Sequence, residues 1–213
     1  DSLSNFMSTV KSPDEKFRIF NWNIQLEDQK QYYECWILLD DFTIIKLKDY
    51  NHTIPELEYA SLDESTWLGA LYYTIIPCQR KNKKIYTLLG WDGNDMFSNK
   101  KIIESMTISK KNKIQFGVPI FKYPDGKTKK RVIFQYSKQS YMSLKHRQAR
   151  KQDYLIFDHL MPPSPHLKEF ADWYVTDLSF DAFQWNENQW DFKRDFDAKS
   201  IKVFKRPFND PNK

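Results

Sequence analysis

Side chains able to bind cations or move protons crowd the stretch GWDGNDMFSN, Gly90 to Asn99, where Asp92, Asn94 and Asp95 sit between two apolar runs. An oxygen-rich loop holds calcium when ligands recur at its first, third and fifth positions. Counted from Asp92 these are Asp92, Asn94 and Met96, and the methionine breaks the series. The competing explanation is geometric, because Gly, Asn and Asp accept the positive φ that tight hairpin turns demand. The stretch therefore reads as a turn, with Trp91, Asp92 and Asp95 as candidate ligand-facing residues.

A second grouping, Asp158 beside His159 in IFDHLMPPSPH, has the composition of an acid–base pair. Neighbours on a strand point to opposite faces, so the two meet only if a bulge intervenes. No GxSxG motif or reactive-cysteine context supplies a nucleophile for them to activate. They are candidate catalytic residues against the simpler expectation of capping a strand end. His166, seven residues on, could join His159 at a metal, but no metal and no other cofactor is expected. Seven aspartates lie from Asp158 to Asp197 (Asp158, Asp172, Asp177, Asp181, Asp191, Asp195 and Asp197). Glycoside hydrolysis needs two carboxylates about 5 to 9 Å apart, which spacing along a chain does not measure. Trp173, Tyr174 and Asp177, in an irregular stretch, are further candidate ligand contacts.

The elements that must position these groups are strands. The chain has 213 residues, of which 16% are aromatic and only 5 are glycine. Aromatic and β-branched side chains suit a pleated, half-buried surface. Alternation predicts that FRIFNWNIQ places Phe20, Trp22 and Ile24 on one face and Asn21, Asn23 and Gln25 on the other. QYYECWILL and FTIIKLK follow, completing a three-stranded meander. After an aperiodic span from Leu47 to Glu64, strands are expected over 67–77, 85–91, 101–109, 114–122, 130–137, 141–146 and 154–159. MPPSP, Met161 to Pro165, interrupts them, and a last hairpin turns at Asn186 to Gln189. The expected fold is all-β, an antiparallel meander of about a dozen strands, sandwich or barrel-like, with a small β-propeller as the alternative. Residues 1–11 read as an extension, 12–204 as one β domain and 205–213 as a loose tail.

No run approaches the roughly 18 apolar residues of a membrane-spanning helix. Cys35 and Cys78 read as buried thiols, or as a disulfide if the chain is exported. The net charge is +5, and basic residues gather in RKNKK, SKKNK, GKTKKR and KHRQARK. Successive turns of a meander alternate between sheet ends, which spreads these clusters, so nucleic acid is a disfavoured partner. Trp36, Tyr72 and Trp91 stand out of phase or at a turn, where an aromatic face could meet a glycan or a protein.

The wording IYTLLGWDGNDMFSNKKIIE, with SPDEKFRIFNW upstream and RVIFQYS and LIFDHLMP downstream, resembles an uncharacterised family of exported proteins from Bacteroidetes-type bacteria. The resemblance runs from about Ser12 to Asp197. It implies a periplasmic or cell-surface setting but no activity or ligand. Where that family would have Tyr-Gly-Pro-Asp, this chain has YVTD, Tyr174 to Asp177. The resulting expectation is an exported binding or structural module of the cell envelope without catalysis, its partner a glycan or another envelope protein. A glycan-directed hydrolase is the alternative and nucleic-acid or anionic-surface binding the third. A deep cleft lined by paired carboxylates would remove the first of these.

Overall fold

A computed structural model describes residues 7–27, 29–50 and 54–197. The fold is all-β, and among the described residues the only helical pieces are single 3-10 turns at Pro165–Leu167 and Ala171–Trp173. Sheet 1 is a meander of β1 (Ser8–Lys11), β2 (Phe17–Gln25), β3 (Gln31–Leu39) and β4 (Ile44–Lys48) in that order. Part of the expected extension thus forms an edge strand of the domain. The expected tail, 205–213, lies outside the described residues.

Sheet 2 is built on β6 (Leu71–Arg80), β7 (Lys83–Asp92) and β8 (Ser98–Ile108). The long β8 has two partners on its far side. Its first half pairs with β12 (Arg131–Ser137) and its last three residues with β9 (Ile114–Phe116), which in turn pairs with β5 (Leu62–Asp63). Sheet 3 runs β11 (Thr128–Lys129), β10 (Phe121–Lys122), β16 (Trp190–Lys193), β15 (Val175–Trp185), β14 (Gln152–Met161), β13 (Leu144–Ala149). Among the described strands every pairing is antiparallel except β10 with β16, and an isolated bridge between Asp49 and Trp67 is also parallel.

The single strand expected over 114–122 is two strands in two sheets. Gly117, at φ +93°, turns the chain, and a Cβ there would lie 2.6 Å from the Ala60 carbonyl oxygen.

Two cores hold these sheets together. One packs Ile19, Cys35 and Ile37 of sheet 1 against Tyr72, Leu88 and Ile102 of sheet 2. The other packs Leu89, Ile103 and Val132 of sheet 2 against Phe157, Phe183 and Trp190 of sheet 3. Sheet 2 is therefore the middle layer of a three-layer sandwich, covered on both faces. A strand buried on both faces reads as a continuous apolar run rather than an alternation, which accounts for IYTLLGW.

Two sequence expectations are corrected here. In β2 the core face carries Phe17, Ile19 and Asn21, whereas Phe20 and Trp22 are only half-buried and Ile24 is exposed. Asn21 is tolerated inside because its amide is satisfied. Its Oδ1 accepts from the Tyr72 N–H at 2.6 Å, and its Nδ2 donates to the carbonyls of Ser8 at 3.2 Å and Tyr72 at 3.4 Å. A buried amide with its partners made costs little, so polarity alone misassigned the face. The disulfide does not form: Cys35 and Cys78 are both free, and they lie in different cores on opposite faces of sheet 2.

Candidate functional site

The loop between β7 and β8, Gly93 to Phe97, is the turn expected, but it is five residues long. Asn94 rather than a glycine takes the positive φ, at 45°. Asp92 Oδ1 accepts from the Asn94 N–H at 2.8 Å, and Asp95 Oδ1 accepts from the N–H groups of Phe97 and Ser98, both at 2.9 Å. The Asn94 side chain donates to Asp95 Oδ2 and Ser98 Oγ, and its Oδ1 accepts from Lys100 Nζ at 2.6 Å. The aspartates therefore build the turn, as side chains that mimic backbone acceptors do.

The same loop forms one wall of a cleft of about 510 Å³. Tyr33 of β3 and Asp49, just beyond β4, face it from sheet 1, and Lys100, Ile102 and Ile133 rise from sheet 2. Asp49 and Asp92 share one tyrosine. The Tyr33 backbone N–H donates to Asp49 Oδ2 at 2.9 Å, and its hydroxyl donates to Asp92 Oδ1 at 2.8 Å while accepting from the Gly93 N–H at 2.8 Å. Burial pushes the Tyr33 phenol upward, which keeps it a proton donor.

The two carboxylates sit in different surroundings. Burial pushes Asp49 up to about 6, the charges of Asp92 and Glu34 add to the rise, and the Tyr33 N–H opposes it. Asp92 is ringed by donors, with the Lys100 ammonium 3.9 Å away. Gly69, at φ +77°, makes room for Asp49, since a Cβ there would lie 2.7 Å from Asp49 Oδ1.

The remaining wall is the segment 54–61, which contributes Ile54 and Leu57. It has little regular structure and is fastened from below by a buried ion pair. Arg131 and Glu104 are fully enclosed, Nε to Oε2 2.6 Å. Arg131 Nη1 also donates to the carbonyls of Leu57 and Ala60. Burial pushes Glu104 up to about 7 against the opposing pull of Arg131 and the Ser105 N–H. Glu58 adds a second fastening through Lys129 and the Ile133 N–H.

Among the residues singled out from sequence, Asp92 and Asp95 line the cleft, with Trp91 behind them against Gly93. Trp173, Tyr174 and Asp177 do not line it. Tyr174 donates its hydroxyl to the Lys168 carbonyl, Asp177 accepts from Ser179, and Trp173 is half exposed on a 3-10 turn. The pairing of β14 with β15 is irregular between Asp158 and Leu160, yet Asp158 and His159 take different partners. Asp158 accepts from the Ser143 N–H at 2.7 Å, and His159 Nδ1 lies 2.8 Å from Asp181 Oδ2. Among the described residues His159 has no hydrogen-bonded hydroxyl or thiol, and Asp158 and His159 are not bonded to each other. His166 sits on the first 3-10 turn, and no group of three or more potential metal ligands occurs among the described residues.

Cations of the first three basic clusters meet carboxylates, as in Lys84–Asp14, Lys113–Glu64 and Lys129–Glu58. Trp36 does lie exposed, on the outer face of sheet 1 with Lys46 Nζ 5.2 Å over its ring, whereas Tyr72 is fully buried.

Sequence reasoning missed Tyr33, Asp49 and Lys100. Asp49 ends an alternating strand at the start of an aperiodic span, a weak signal. Tyr33 looked like an ordinary core residue. No family model, curated protein or solved structure matches this chain, so function has to be argued from the geometry of the cleft.

Proposed function

We propose that the protein is a binding module whose cleft takes a polyhydroxylated ligand, a short saccharide. The supporting observation is the composition of the cleft. Acceptors on Asp49, Asp92 and Asp95 alternate with the Lys100 donor above aliphatic Ile54, Leu57 and Ile102. A sugar ring has the same duality, with hydroxyls at its edge and C–H groups on its faces. The cleft volume lies within the roughly 300 to 1,000 Å³ of small-molecule sites. An exported, envelope setting is part of this proposal and rests on the resemblance of the GWDGND and FDHLMP segments described above.

The test is calorimetry and thermal shift against a glycan panel that includes cell-wall fragments. A ligand at a hundredfold excess over its dissociation constant stabilises the native state by about 2.7 kcal/mol. Asp92→Asn and Lys100→Met should each remove that stabilisation. No shift with any glycan, or a shift that survives both substitutions, refutes the proposal.

A second function is favoured by one observation, the Asp49–Asp92 pair in the cleft, which is the feature named above as counting against an envelope module without catalysis. Two carboxylates whose environments differ can divide acid and base roles. Here Asp49 would donate the proton to the leaving oxygen and Asp92 would act as base or nucleophile, making the protein a glycan-directed hydrolase. Release of reducing ends by the wild type, lost in both Asp49→Asn and Asp92→Asn, supports it. Binding without turnover excludes it and leaves the binding module intact.

A further inference from the structure

The middle sheet has a second recess on its other face. Side chains alternate along β8, so Lys100 enters the cleft described above while Lys101 enters a pocket of about 360 Å³. That pocket lies between β6 and the edge strand β13, and half of its lining residues are basic types while none is acidic. Lys101 Nζ sits 4.9 Å from the centroid of the Tyr73 ring. The Tyr73 hydroxyl donates to the Leu144 carbonyl at 3.1 Å, tying β13 to the ring beneath the ammonium.

Lys145 and Arg147, two apart on β13, share one face of it. Neither they nor Lys101 has a carboxylate within ion-pair distance among the described residues. The nearby acid, Asp153, is already engaged by His146 Nε2 at 2.7 Å and Gln148 at 3.3 Å. Burial pulls the Lys101 ammonium downward, the direction for a cation that lacks a counter-ion.

Like charges gathered in a recess that no acidic side chain lines are stabilised by an anion from outside. Ammonium and guanidinium groups form their shortest hydrogen bonds with oxyanions. Tyr141, 74% exposed at the mouth, offers a flat face to whatever carries the anion.

We propose that this pocket binds the phosphate or sulfate group of a small ligand, with Lys101 at its base and Lys145 and Arg147 closing on the oxygens. The site is independent of the carboxylate cleft, and its test separates the two.

Sulfate and phosphate also strengthen burial non-specifically, so the readout is NMR chemical-shift titration at constant ionic strength. The probes are inorganic phosphate, inorganic sulfate, glucose 6-phosphate and glucose 6-sulfate, with glucose and chloride as blanks. Saturable shifts around Tyr73 and Lys101 are expected, weakened at least tenfold in Arg147→Gln and in Lys101→Met. Lys111→Gln, on the distant β8–β9 turn, and Asp92→Asn should leave them unchanged. If Lys101→Met does not fold, Arg147→Gln carries the test, because that side chain is exposed on an edge strand. Tighter binding of the sugar esters than of the free ions identifies an esterified ligand stacked on Tyr141, and equal binding identifies the free oxyanion. Absence of saturation, or equal weakening in Lys111→Gln, overturns the proposal.

Discussion

Asp49→Asn should stabilise the protein at neutral pH and leave it unchanged in acid. Asp49 has a folded-state pKa near 6 against an ordinary 3.8. Below about pH 3 the carboxyl is protonated whether the chain is folded or not, and burial carries no charge penalty. Between the two values the folded state holds the proton more tightly than the unfolded state, so stability falls as pH rises and levels off above pH 6. About two units at 1.36 kcal/mol each gives roughly 3 kcal/mol. Asp49 keeps part of its surface in water, and solvent screening reduces this to about 1–2 kcal/mol. Asparagine retains an oxygen to accept from the Tyr33 N–H, so the hydrogen bond that holds the cleft survives. Thermal melts of wild type and variant from pH 4 to pH 8 should diverge through the interval from 4 to 6 and then run parallel. At roughly 2–4 °C per kcal/mol for a chain of this size, the plateau separation is about 2–8 °C. A constant separation at all pH values, or destabilisation at pH 7, refutes the account of Asp49 as a buried charge held against its preference.

Three further outcomes are expected. Arg131→Met leaves Glu104 enclosed without a partner and frees the segment 54–61, costing about 3–5 kcal/mol in urea unfolding; Arg131→Met with Glu104→Leu should recover most of it. A double variant no more stable than the single one would show that the ion pair is not the source. Gly69→Ala, at a positive φ and against Asp49 and Tyr33, should destabilise the fold and weaken any cleft ligand, whereas glycine-like stability would contradict the close approach. Cys35 and Cys78 should both titrate with a thiol reagent in denaturant without reductant and neither should react in the native state, since burial pushes the Cys78 thiol up to about 12 and Cys35 further. Fewer than two thiols under denaturing conditions would mean that a bridge forms.

The all-β class was legible in the residues themselves, because aromatic alternation and Asp/Asn/Gly turns are local signals with a period of two. So were the neighbours β2, β3 and β4 and the hairpin at Asp92, each joined to the next by a short turn. Local pattern failed at Asn21, where a polar residue faces the core because it reaches the backbone of Tyr72, 51 residues away. It failed again at 114–122, where Gly117 and Pro119 pass the chain from one sheet to another. The cleft was half legible. Asp92 and Asp95 drew attention as an acid-rich turn, but Tyr33 is 59 residues from Asp92, and their contact exists only once sheets 1 and 2 are face to face. The sequence by itself determined the all-β class and the strands joined by short turns, since these depend on neighbours along the chain. Tertiary packing alone decided which face of sheet 2 Lys100 and Lys101 would each serve, and how far Asp49 is withdrawn from water, since both depend on distant segments brought within a few ångströms.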